Sequence, residues 1–195
     1  MILGITGGTG CGKTTLLKEI QKLGGLVLDC DAIYHELLRT DAAMLRAIEN
    51  RFPGVVEDGS LNRKKLGAIV FTDEQALLDL NAITHSAVKQ EVLRRLEEKP
   101  ALAAIDAIGL FEGGLAELCD VTVAVTAPTE LRVQRLMQRD GISEGYARSR
   151  IEAQHEELWF RERCDYTLVN DEEIDAFATK CIAFLRHLGI MKENL

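Results

Sequence analysis

Ile2 to Thr6 form a short apolar run that ends in glycines, the pattern of a buried strand, and a helical stretch follows from Lys13 to about Leu23. Gly24-Gly25 stops that helix. Leu26 to Asp29 reads as a second strand with an acidic end. From about Ala32 to Arg51, Ile33, Leu37, Leu38, Met44, Leu45 and Ile48 recur at helical spacing until Phe52-Pro53-Gly54 breaks the run. Residues 61–99 read as wholly helical, with a long pattern from about Ala82 to Glu98 that Pro100 ends. Ala101 to Phe111 predicts a third strand and Asp120 to Ala127 a fourth. Helices are predicted from about Thr129 to Asp140 and from Ser143 to about Arg163. Asp165 to Asn170 is the last strand, and Asp171 to Leu188 the last helix.

Strands that alternate with helices imply a parallel sheet covered on both faces, hence a three-layer α/β/α fold with five parallel strands. Between strands two and three lie roughly seventy residues of helix, far more than a crossover needs. That surplus is where a substrate-binding subdomain would sit. No internal repeat and no low-complexity linker interrupts the chain.

Composition adds bounds rather than identity. At 195 residues the chain fits one domain with a small insertion, and 47% hydrophobic with 28% charged residues is ordinary for a soluble globular protein. No apolar run reaches the ~20 residues of a membrane span. Gly-rich sequence and Lys13 interrupt the start, so it does not read as a signal peptide. A net charge of -8 disfavours a broad nucleic-acid surface. Cys11, Cys30, Cys119, Cys164 and Cys181 are scattered and odd in number, with no C-x-x-C pair. They argue against a zinc site or a disulfide framework and for a reducing cytoplasm.

The candidate chemistry begins at Gly7 to Thr14, GGTGCGKT, which fills every fixed position of G-x-x-x-x-G-K-[ST]. Gly7, Gly8, Gly10 and Gly12 permit tight wrapping of backbone N–H groups around a diphosphate. The helix from Lys13 offers its positive end to the same anion. Lys13 can reach β and γ phosphates, and the Thr14 hydroxyl can ligate Mg²⁺. Guanine-specific relatives carry N-K-x-D and transport ATPases L-S-G-G-Q, and neither stretch occurs here. Small-metabolite kinases that close a lid over ATP remain.

From Thr129 to Arg163 the basic residues are Arg132, Arg135, Arg139, Arg148, Arg150, Arg161 and Arg163, without a lysine. Arg132, Arg135 and Arg139 share one helical face, where guanidinium forks would neutralise a transferring phosphoryl group. The alternative is a solvated helix paired with Glu130, Asp140 and Glu144; Arg135 and Arg139 carry the lid reading best. Asp29 and Asp31 flank Cys30 at the end of the second strand, where strand parity would send their side chains to opposite faces. One could orient or deprotonate a hydroxyl while the other caps the next helix. Asp106 sits in the third strand after apolar residues, as a Mg²⁺-holding acid would, or else is a buried structural acid. His85 by itself reads as a packed or surface histidine. Cys11 lies beside a helix N-terminus and a lysine, which favours a thiolate, blocked by MgATP, if it faces the loop interior; a buried inert thiol is the plainer reading.

The residues together resemble the dephospho-coenzyme A kinase family over nearly the whole chain. TGGTGCGKTT is similar to that family's T-G-G-I-G-S-G-K-S-T, and LDCDAIYHELL to D-A-D-x-I-A-x-x-L, with Asp31 at the second Asp. DGSLNRKKLGAIVF resembles D-G-x-L-x-R-x-x-L-x-x-x-x-F, and LNAITHSAV resembles L-N-x-I-x-H-P-x-I. IDAIGLFEGGL stands in the place of D-x-P-L-L-F-E-S-x-L. LRVQRLMQRDGISEGYARSRIEAQ is similar to the family's lid, L-x-R-x-x-x-R-D followed by R-I-x-x-Q. Ile108-Gly109 replace Pro-Leu, and Ser86 replaces the Pro after the histidine, which touches the shape of the substrate pocket rather than the reaction.

The resemblance implies a P-loop kinase domain over 1–195, with a helical acceptor-binding subdomain at 55–99 and a lid at about 129–150. It implies transfer of phosphate from ATP, with Mg²⁺, to the ribose 3′-hydroxyl of dephospho-coenzyme A. Lys13, Asp31 and Arg139 would carry catalysis. Gly8, Gly10, Cys11, Gly12, Lys13, Thr14, Thr15, Arg135 and Arg139 would hold the nucleotide, and Thr14 with Asp106 the metal. Asp31, Arg63, His85 and Glu112 would meet the acceptor. Partners would be ATP and dephospho-coenzyme A, without nucleic acid or membrane, in a monomer or small homo-oligomer. The rivals are another nucleoside or nucleotide kinase of the same fold, and a nucleotide-dependent binding protein with a degenerate site.

Overall fold

The computed structural model describes residues 1–171 and 173–191. Its main sheet has five strands: β1 (Ile2–Thr6), β2 (Leu26–Asp29), β5 (Ala103–Asp106), β6 (Val121–Thr126) and β7 (Tyr166–Val169), in the order β2-β5-β1-β6-β7. The resolved registers run parallel, with Ile2 opposite Ala103, Leu3 opposite Val121 and Val123 opposite Tyr166. Central β1 is buried along nearly its whole length, as the continuous apolar run requires of a strand covered on both faces. Helices α1 (Lys13–Lys22) and α9 (Ile174–His187) pack on it: Leu16, Leu17 and Ile20 meet Phe177, Cys181 and Leu185 in one core cluster with Leu3 and Ile5. The three-layer parallel fold expected from the alternation is present.

Strands β1, β5, β6 and β7, with the start of β2, belong to the first compact unit, Met1–Val27, Pro100–Leu110 and Leu118–Leu195. It also holds α6 (Thr129–Asp140), α7 (Glu144–Glu152) and α8 (Glu157–Arg163). Val133 and Leu136 of α6 pack on Ala147 and Ile151 of α7, a small core of their own. The single helix expected from Ser143 to Arg163 is broken between α7 and α8, and Gln154 lies in the break. Cys164 ends α8, and β7 begins at Tyr166 after Asp165, whose carboxylate accepts from the Thr122 N–H at 2.8 Å and its hydroxyl at 2.7 Å.

The second compact unit comprises Leu28–Lys99 and Phe111–Glu117. It contains α2 (Cys30–Thr40), α3 (Ala42–Arg51), α4 (Arg63–Val70) and α5 (Glu74–Leu96), with a hairpin of β3 (Val56–Glu57) and β4 (Ser60–Leu61). The helix expected from Ala32 to Arg51 is two helices. Asp41 leaves helical geometry and its carboxylate accepts from Ala43 and Met44 N–H at 2.8 and 3.0 Å, capping α3. Residues 61–99 are likewise not one helical stretch, because Leu61 belongs to β4 and Asn62 and Asp73 cap separate helices. The third strand is also shorter than expected, ending at Asp106 before turns.

Candidate active site

The phosphate-loop motif lies between the end of β1 and the start of α1, all within the first unit. Gly12 caps α1 in the left-handed region at φ 90°, a conformation only glycine adopts without strain. A Cβ there would collide with the Asn170 side-chain amide. No acidic residue occupies the first turn of α1, so its unpaired N–H groups and positive dipole end face no competing carboxylate from the helix itself. The Lys13 ammonium donates to the Gly7 carbonyl at 3.0 Å and stands 3.9 Å from Oδ1 of Asp106. Both side chains are largely buried, 14% and 18% exposed. Thr14 is exposed and Thr15 half-buried.

The arginines of α6 do three different things. Arg132 is buried; its Nε donates to the Thr9 carbonyl at 2.9 Å and its Nη2 to Oε1 of Gln154 at 3.3 Å. Its expected place on a common lid or solvent face is therefore corrected: the guanidinium lies under the loop. Arg135 donates to the Gly10 carbonyl at 3.4 Å and to Oδ1 of Asn170 at 3.0 Å, next to the loop. Arg139 is exposed and forms a bidentate pair with Asp140 at 2.7 and 3.0 Å, and Arg150 takes the same carboxylate at 2.7 Å. Glu130 and Glu144 are both engaged by Arg148.

Cys11 lines a small cavity with Gly8, Thr126, Arg132, Glu157 and Phe160. Burial pushes its thiol above the ordinary value, outweighing the pull of Arg132 and Lys13. The buried side chain, 3% exposed, matches the plainer expectation of an inert thiol rather than the thiolate alternative.

In the second unit, the strand-parity expectation for Asp29 and Asp31 fails because Asp31 already belongs to the first turn of α2. Asp29 is its cap, accepting from the Ala32 N–H at 3.0 Å. That bond occupies Asp29 and leaves Asp31 an exposed carboxylate on the first turn. Exposed Arg63, first residue of α4, has its Nη2 3.2 Å from Nδ1 of His35. Burial raises the neighbouring Tyr34 hydroxyl, and the Arg63 charge opposes that rise. His85 is half-buried on α5, and Glu112 is exposed in the 111–117 segment. Lys89 ties that segment to α5 through Glu117 at 3.2 Å.

Sequence reasoning gave no role to His35, Gln154 or Asn170. The Gln of R-I-x-x-Q was a usable signal for Gln154; His35 and Asn170 offered none before their neighbours were placed.

The dephospho-CoA kinase family model matches residues 1–176. The chain belongs to this family. A dephospho-CoA kinase from Syntrophotalea carbinolica is 34% identical, over 96% of this chain and 92% of its own length. One from Moorella thermoacetica is 39% identical over 80% of this chain and 77% of its own. Among solved structures, TT1252 from Thermus thermophilus is 32% identical with a TM-score of 0.80, covering 96% of this chain and 97% of that one. The dephospho-CoA kinase from Campylobacter jejuni is 26% identical with a TM-score of 0.68, covering 97% and 98%. A shikimate kinase from Bacteroides thetaiotaomicron, 16% identical at a TM-score of 0.58, shares the fold. The matched span of this dephospho-CoA kinase family member includes the phosphate loop, Asp31, Asp106 and all the arginines of α6 to α8.

Proposed function

We propose that this chain transfers the γ-phosphoryl group of ATP to the ribose 3′-hydroxyl of dephospho-CoA, giving CoA and ADP, the last step of CoA biosynthesis. The observation that carries the reading is a family match over residues 1–176 on a chain whose phosphate loop is complete. Phosphoryl transfer asks the protein mainly for positioning and charge stabilisation. The hydroxyl oxygen forms the new P–O bond as the bond from γ-phosphorus to the β–γ bridging oxygen breaks, and ADP carries the electron pair away. Lys13 and Arg139 neutralise the transferring group. Asp31 orients the hydroxyl and takes its proton. Gly8, Gly10, Cys11, Gly12, Thr15 and Arg135 hold the donor phosphates and their loop. Arg63, His85 and Glu112 meet the acceptor, with His35 beside Arg63 as a further contact.

For Mg²⁺ the available donors fit. Among the described residues no cluster of three His, Cys, Asp or Glu side chains could hold a metal. Mg²⁺ in phosphoryl-transfer sites takes one or two protein oxygens together with substrate phosphates and water. The Thr14 hydroxyl and the Asp106 carboxylate supply such oxygens; the bound ion would shield charge on the phosphates.

Residues 55–99 serve as the acceptor-binding subdomain and about 129–150 as the lid. Five scattered cysteines with no C-x-x-C pair support a reducing compartment, the cytoplasm. No helix of the described residues is long and apolar enough to cross a membrane. The protein acts as a monomer or small homo-oligomer, without nucleic acid. ADP release with ATP and Mg²⁺ across dephospho-CoA, adenosine, AMP and uridine tests the reading. Release that depends on dephospho-CoA supports it; release driven by another acceptor, or by none, overturns it.

A further inference from the structure

The phosphate loop is gripped from outside through its carbonyls. The Thr9 carbonyl accepts from Arg132 Nε at 2.9 Å, the Gly10 carbonyl from Arg135 Nη1 at 3.4 Å, and the Cys11 carbonyl from Asn170 Nδ2 at 2.8 Å. In a trans peptide unit the C=O and N–H point opposite ways. Holding the Thr9 and Cys11 carbonyls outward therefore turns the N–H groups of Gly10 and Gly12 to the other side of the loop. The remaining donors of this stretch are satisfied within the protein. Thr9 N–H donates to Gln154 Oε1 at 2.7 Å, and Cys11 N–H to the Gly8 carbonyl at 3.3 Å.

Arg132 and Gln154 form the tightest part of this grip. One oxygen, Oε1 of Gln154, accepts both from Thr9 N–H and from Arg132 Nη2, so the two side chains hold residue 9 by its N–H and its C=O together. Gly8 is packed against the same guanidinium, where a Cβ would strike Nη2. Arg132 belongs to α6 and Gln154 follows Ala153, the C-cap of α7, and these two helices share a core. A buried guanidinium is costly unless its donors are used and its charge is useful. Here it lies against the carbonyl side of the loop and adds positive potential to a segment built for anions.

We propose that Arg132 and Gln154 are positioning residues for the donor phosphates, fixing the shape of the loop and joining it mechanically to the α6–α7 pair. Neither residue touches substrate; both act through the backbone of Thr9. The proposal deepens the kinase reading and rests on it for the identity of the donor, yet nucleotide binding alone can test it.

The test compares the full chain with Arg132→Gln, Arg132→Lys and Gln154→Leu. ADP affinity is measured by calorimetry without acceptor, and the KM of each substrate by steady-state kinetics. Arg132→Gln should weaken ADP binding and raise the ATP KM about tenfold while the dephospho-CoA KM stays within about twofold. Arg132→Lys, which keeps the charge and one donor, should recover part of the loss. Gln154→Leu should shift donor affinity in the same selective way, and it serves if Arg132→Gln does not fold. ADP affinity within twofold of the parent in Arg132→Gln or Gln154→Leu overturns the proposal. So does a donor and acceptor KM rising together. A parent that binds ADP but phosphorylates no dephospho-CoA defeats the kinase reading instead, and the ADP comparison still decides on the grip.

Discussion

Lys13 holds its ammonium 3.0 Å from the Gly7 carbonyl and 3.9 Å from the Asp106 carboxylate, which anchors a flexible side chain beside the loop. An ammonium already oriented reorganises little when charge develops on a transferring phosphoryl group. Lys13→Ala should therefore lower kcat by about 100-fold or more and leave the dephospho-CoA KM within about threefold. Steady-state kinetics on the purified variant check this. Near-normal turnover would remove Lys13 from the chemistry.

Asp31 is exposed on the first turn of α2, while Asp29 does the capping. A first-turn acid contributes only about 0.3–1 kcal/mol through the helix dipole. Asp31→Asn should thus change the melting temperature by no more than about 4 °C, while kcat at neutral pH falls about 100-fold or more. Retained activity would leave Asp31 with a helix-stabilising role only.

Arg139 and Arg150 share Asp140, and the hydrogen bonds from Arg139, with those from Arg150, hold that carboxyl down at about 2. For Arg139 to reach a phosphoryl group it must leave Asp140, and Arg150 remains to satisfy the carboxylate. Asp140→Asn lowers the cost of that release. The ATP KM should fall or stay level, with kcat within about threefold of the parent. A kcat loss as deep as that of Arg139→Ala would show instead that the Asp140 pair is itself needed.

The sheet and the loop were legible in the sequence because their signals are local. An apolar run, glycines and a Lys-Thr pair specify β1, the phosphate loop and α1 without help from distant residues. The break at Asp41 was not legible, since Ile33 to Ile48 keep helical spacing across it and only the carboxylate's bonds to Ala43 and Met44 end the periodicity. The hairpin was missed because its strands have two residues each, although Asp58-Gly59, both at positive φ, is a strong two-residue turn signal. Helical spacing put Arg132, Arg135 and Arg139 on one face correctly in angle. It could not say that the loop backbone covers one end of that face while the other end is exposed.

Glu91 offers a pH test of the second unit. Hydrogen bonds from Arg94 and then Arg95 outweigh desolvation and hold its carboxyl at about 2, below the ordinary value of 4.5. A carboxylate whose folded pKa is depressed stabilises the fold above its unfolded pKa and loses that contribution as pH falls through the folded one. Glu91→Gln should therefore lower the melting temperature by about 3 °C or more at pH 7, with the gap closing as pH drops from about 4.5 toward 2. A gap that stays constant or widens on acidification would contradict the ion-pair account.

In the proposed reaction the γ-phosphoryl group passes from ATP to the ribose 3′-hydroxyl of dephospho-CoA, with the loop and Lys13 as the donor site. The most direct measurement is a single incubation with ATP labelled in its γ-phosphate, followed by fragmentation of the product in a mass spectrometer. The label is expected on the ribose 3′-oxygen of newly formed CoA, in step with ADP release, and it should accumulate about 100-fold or more slowly when Lys13 is replaced by Ala. Label recovered as inorganic phosphate, or on another acceptor while dephospho-CoA stays unmodified, would contradict the account.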